Sequence, residues 1–161
     1  MDQLFIAIHV IAAILLIGPV AVSTSMFAPA LRAAQQGSAQ QVGAVVTLAN
    51  LTRRYGMFSL LVPALGFLAF FTVDGAMSNY AIHAAILTSI VAWLVLIVGV
   101  IPQQRLGLVS VDAIGPADTP ASEKELATIE SKGAASLPGK AAMFGGIFNL
   151  LWIITAILMF V

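Results

Sequence analysis

Two histidines stand out as side chains that could do chemistry in an otherwise apolar setting. His9 lies in LFIAIHVIAAILLIGPV, residues 4–20, and His83 in YAIHAAILTSIVAWLVLIVGVI, residues 80–101. An imidazole surrounded by hydrocarbon can ligate a haem iron, relay a proton, or hydrogen-bond a neighbouring helix. His9 is about six residues in from one end of its run and His83 about four, which at 1.5 Å per residue puts both roughly 6–9 Å below the same surface. Two imidazoles at one level on two helices could be the axial ligands of a b-type haem. Ala7, Ala12 and Ala13 near one, and Ala81, Ala84 and Ala85 near the other, would leave room for the macrocycle. The plainer reading is that the same small residues serve close helix packing and that each ring is a neutral hydrogen-bonding bridge.

The elements that must position these rings follow from composition. Of 161 residues, 60% are apolar and 9% charged, against about 25% charged in a soluble domain. Mean hydropathy is +1.03, which places the chain in the membrane class. Net charge is zero and there is no cysteine. Nucleic acid is thus not an expected partner, and thiol catalysis, Cys-ligated zinc and iron–sulfur clusters are excluded. Four segments are long and apolar enough to cross a bilayer, which takes about 20 helical residues: about 4–24, 56–73, 80–101 and 141–161. Spanning backbone must satisfy its own hydrogen bonds, so these are helices. The expected fold is all-α, an integral membrane four-helix bundle forming a single domain. Met1, Asp2 and Gln3 supply no cation ahead of the first run, so that run is expected to be kept as a span and not removed as a signal.

Prolines punctuate the pattern. Pro19 and Pro63 should kink their spans, and Pro102 should stop the third. Residues 38–54 show apolar positions at helical spacing and are expected to extend the second span inward. The connection 103–139 is polar. It should contain one short surface helix, about 120–132, with Thr119 before Pro120 as its start, Ser122 and Glu125 at capping-box spacing, and Gly133 as its end. Leu126 and Ile129 are its only apolar face, too little to stabilise it alone.

Charge sets the orientation. Arg32, Arg53 and Arg54 lie between the first two spans; Arg105, Lys124, Lys132 and Lys140 lie between the last two. These are all seven Lys and Arg residues, so the positive-inside rule puts both long connections in the cytoplasm and both termini outside. Arg53, Arg54 and Tyr55 read as an anchor at the inner interface, with lipid as their partner.

The remaining polar and small residues read as packing. Asn149, midway along the fourth span, should bond another helix, and Ala142 with Gly146 has small-xxx-small spacing. Ala81, Ala85, Thr88 and Ala92 form one stripe of the third span. No span carries Asp, Glu, Lys or Arg in its interior, and a pump or ion-coupled transporter usually needs such groups at depth.

The run HVIAAILLIGP on the first span, the arginines that follow it, and YAIHAAIL on the third resemble a group of small bacterial four-helix membrane proteins. Among these, the HemJ-type protoporphyrinogen oxidases are similar in layout. In that family a first-span His binds haem, and the third-span His is followed two residues later by a functional Lys. His9 and His83 match the histidines, and Ala85 stands where the Lys would be. This resemblance implies haem-b binding without the oxidase activity. A second resemblance, of type and not of motif, is to accessory subunits of actinobacterial respiratory complexes. It implies a non-catalytic subunit of a cytochrome bcc–oxidase supercomplex in the bacterial plasma membrane, needing no cofactor and partnered by other membrane subunits and lipid. That is the leading expectation; a haem-b protein ligated by His9 and His83 is the alternative.

Overall fold

The computed structural model describes residues 2–72, 75–115 and 118–160. Most of these are helical, and none is in a strand. The helices are α1 (Asp2–Gln35), α2 (Ala39–Phe58), α3 (Leu61–Thr72), α4 (Tyr80–Val95), α5 (Ile101–Ser110), α6 (Glu123–Lys132) and α7 (Leu137–Leu158). Three continuous helical stretches are long and apolar enough to cross a membrane: Gln3–Gln35, Tyr80–Ser110 and Ala134–Leu158.

α1 runs unbroken through Pro19 and Pro29 and spans about 50 Å at 1.5 Å per residue. A tight turn at Gly37, with φ +96°, returns the chain as α2. The stretch expected as one span over 56–73 is instead divided between the end of α2 and α3. Pro63 explains the division: it has no N–H for the Ser59 carbonyl, and its ring would crowd that oxygen. The Val62 N–H takes the Ser59 carbonyl at 3.0 Å instead, tightening the chain at residues 59–60. α3 is then 12 residues, about 18 Å, too short to cross a bilayer without α2.

Pro102 does the opposite of what its position suggested. It does not stop the third apolar helix; α4 continues into α5 through a π-helical turn, Leu96–Val100. The turn absorbs the proline, because one extra residue per turn moves the ring away from the carbonyl it would strike. The Ile101 N–H accordingly donates to the Leu96 carbonyl, five residues back. The first eight residues of the expected polar connection, 103–110, thereby belong to this long helix.

α1 lies at the centre, packed against α2, α3 and α7, and α4 packs mainly on α7. One core fills the middle of the bundle with Val20, Ala92, Leu96, Val100 and Phe148. A second fills the end where the basic residues cluster, with Phe27, Leu31, Val45, Ala49 and Leu137, and Ile129 of α6 packs onto it. The polar connection is held by that contact and by two ion pairs, Arg53–Asp118 at 3.0 Å and Arg105–Glu125 at 2.7 Å. α6 begins at Glu123, three residues after Pro120, capped by Ser122 in a complete capping box with Glu125. Thr119 is not the cap; its carbonyl and that of Pro120 accept from the Arg105 guanidinium, and the helix starts only after Ser122.

Candidate functional site

His9 is on the inner face of α1 and is buried. Its ring lies beside the Val62 backbone and over Gly66 of α3, where a Cβ would stand 2.9 Å from Cε1. The Pro63 break sets this contact, since it decides how α3 presents Gly66 to α1. The ring borders a cavity of about 120 Å³ between α1, α3, α4 and α7, whose other walls include Ala85, Ser89, Trp152 and Thr155.

Two polar atoms at this cavity have no partner: Nδ1 of His9 and the indole N–H of Trp152. The two hydroxyls are satisfied one turn back, Ser89 by the Ile86 carbonyl at 2.7 Å and Thr155 by the Leu151 carbonyl at 2.9 Å. A space of this volume, with one imidazole nitrogen and one N–H donor free, can hold a few waters or a small polar group. The lining residues include no carboxylate, Lys or Arg. The backbone group beside the imidazole is that of Val62, and the free polar atoms suit binding of a small polar group.

His83 does not share this cavity. It is exposed, its Nδ1 is 2.8 Å from the Asn79 carbonyl, and its ring meets Phe70 edge-on at 5.5 Å. The cavity-facing stripe of α4 is Ile82, Ala85, Ile86 and Ser89, and His83 lies about 110° around the helix from it at 100° per residue. A haem clamped between both rings does not fit this arrangement. Among the described residues there is also no group of three His, Asp or Glu side chains that could hold a metal ion.

The other residues singled out in the sequence fall as follows. Ala85 and Ala92 are fully buried, Ala81 and Thr88 are half-buried, and the Thr88 hydroxyl donates to the Ala84 carbonyl at 2.6 Å. The Asn149 amide reaches α1, donating to Ser25 Oγ at 2.9 Å and towards the Ala21 carbonyl at 3.4 Å. The small-residue contact of α7 is one position earlier than Ala142 and Gly146. Ala141 and Gly145 are buried, and a Cβ on Gly145 would stand 3.0 Å from the Thr24 carbonyl oxygen. Ala142 and Gly146 are exposed, with nothing within 4 Å of a Cβ at Gly146. Arg54 is exposed and Tyr55 packs against the central core. Arg53 binds Asp118 and so ties down the polar connection.

Sequence reasoning missed Trp152 and Thr155 as walls of the cavity that His9 borders, and missed a buried network. Ser23 and Thr52 share a 2.8 Å hydroxyl hydrogen bond, and the Gln104 amide donates to Thr52 Oγ1 at 3.1 Å. No local signal marks the cavity-facing side of α7, which is apolar all round, or pairs residues 23, 52 and 104. Compared with known protein families, curated proteins and solved structures, the chain matches none.

Proposed function

We propose that this chain is a multi-span protein of the bacterial plasma membrane acting as a non-catalytic accessory subunit of a larger membrane assembly. The assembly its resemblance points to is a respiratory supercomplex. In this reading α1, the tandem α2–α3, α4–α5 and α7 make four crossings with both termini outside. Support comes from the outward faces of these helices, where Leu4, Ile14, Leu15, Phe71, Leu87 and Val98 are exposed, a surface suited to lipid and not to water. All seven Lys and Arg fall in the two segments 32–54 and 105–140, on helix ends and the links between them, and this supports the orientation.

The observation that carries the subunit role is the double register of small residues on α7. Ala141 and Gly145 are used inside the chain, whereas Ala142 and Gly146 face outward with open space above them. Such a stripe lets a second helix approach closely. Mild-detergent affinity purification from native membranes tests this. The chain should come out with a stoichiometric membrane partner, and Gly146→Leu should release that partner while leaving the chain folded. A chain purified alone from its own membranes would refute the subunit role. Labelling with an impermeant thiol reagent on intact cells tests the orientation: Met77→Cys should react, and Gln36→Cys should not.

The competing reading is haem-b binding. The free Nδ1 of buried His9 favours it; the outward position of His83 opposes it as the second ligand. The visible spectrum of the purified chain separates the two, since a Soret band lost in His9→Ala would establish the haem protein.

A further inference from the structure

A second cavity lies away from His9, between α5, α6 and α7 at the basic end of the bundle. It is an open groove of about 400 Å³. One part of its wall is apolar and continuous with the outer surface of the helices: Val98 and Met143 are exposed large side chains there, with Phe144 behind them. The other part is cationic: Lys132 from the last turn of α6 and Lys140 from the first turn of α7 both line it. Neither lysine forms an ion pair among the described residues, whereas Arg53 and Arg105 do. The lining residues include no carboxylate.

Gln103 makes the groove more than two surface lysines. Its side chain lines the groove, is only 8% exposed, and leaves Nε2 without a hydrogen-bond partner. A buried amide donor left unpaired is costly, and its neighbour Gln104 spends its own amide on Thr52. One groove, then, brings together an apolar wall, a buried amide without a hydrogen-bond partner and two lysines without an ion pair among the described residues.

We propose that this groove binds an anionic phospholipid of the inner leaflet, with its phosphate at Lys132, Lys140 and the Gln103 amide and an acyl chain along Val98 and Met143. Charge complementarity selects the headgroup: an acidic phosphodiester satisfies both cations and accepts from the amide, and basic pockets between helices on the cytoplasmic side are the usual seats of such lipids. The proposal rests on the orientation inferred above, which the labelling experiment tests separately.

The test uses the full chain in a neutral detergent, probed by native mass spectrometry with phosphatidylglycerol, phosphatidylcholine or inorganic phosphate added. Phosphatidylglycerol should be retained over phosphatidylcholine, and Lys132→Gln with Lys140→Gln should weaken its binding about thirtyfold, at the strength usual for two juxtamembrane lysines. Gln103→Leu should weaken it with both lysines in place. A charge-matched control, Arg32→Gln with Lys124→Gln, should leave binding unchanged, and circular dichroism should show all variants equally helical. Equal retention of the two lipids would overturn the proposal. So would an equal loss in the control, or inorganic phosphate binding as tightly as the lipid.

Discussion

A Cβ on Gly66 would stand 2.9 Å from Cε1 of His9: α3 lacks a side chain at the place where the α1 imidazole lies. The two residues act as a pair, and their substitutions should not add. Gly66→Ala alone pushes the ring aside at about 1 kcal/mol, the low end for overpacking. In a His9→Ala background the same methyl meets open space, so the penalty disappears, giving a coupling of roughly 0.5–3 kcal/mol, as for residues in contact. Thermal unfolding of the four proteins in one detergent measures this; simple additivity would show that the contact does not exist.

Gly145 and Gly146 are neighbours with opposite surroundings. The Thr24 backbone faces Gly145 and cannot yield, so Gly145→Val should destabilise the chain by about 1–3 kcal/mol. Gly146→Ala should be neutral or stabilising by up to about 1 kcal/mol, the helix-propensity difference, because nothing lies above it. Unfolding midpoints of the two variants check the register of α7; the reverse order would place the inward stripe at Ala142 and Gly146.

Thr52 is hydrogen-bonded to two other helices, through Ser23 and Gln104. Thr52→Val keeps its shape but strands the Gln104 amide, which is 3% exposed, and removes the partner of Ser23. The expected loss is about 1–3 kcal/mol for a stranded buried group, with Thr52→Ser recovering most of it because the hydroxyl returns. Equal losses in the two variants would show that packing, not the hydrogen bonds, matters there.

The docking of α6 should depend on pH through Glu125. The Ser122 backbone N–H bonded to its carboxylate, and to a smaller extent Arg105, hold its pKa below the usual glutamate value, against a partial counteracting effect of burial. A depressed folded pKa means that this stabilisation is fully present above the unfolded value, about 4.3, and is lost as pH falls through the folded value. Hydrogen exchange of the 123–132 amides, corrected for intrinsic rates, should show protection steady from pH 7 to 5 and falling below about 4. Glu125→Gln should remove the acid-side fall. The same fall in that variant would assign it to another group.

The sequence by itself determined what depends on composition and local chemistry. Helices, and not strands, follow from 60% apolar residues with almost no charge in the runs, since backbone in hydrocarbon must bond within its own segment. The Ser122–Glu125 cap was legible because both partners lie within one turn. The prolines were legible as disturbances, but not in kind. Pro63 tightens the chain and Pro102 widens it, and the difference lies in neighbours remote in sequence: the π turn places Gly99 under the Phe144 ring, where a Cβ would meet Cδ1 at 2.5 Å.

Which face of each helix turns inward was decided only by tertiary packing. Apolar residues surround each long apolar helix, so hydrophobic periodicity carries little information about register. The sequence therefore could not choose Gly145 over Gly146, could not tell that His9 lies inside and His83 outside, and could not bring Trp152 to the same cavity as His9. Those choices belong to steric fit between helices far apart in the chain, where a missing side chain on one admits the bulk of another.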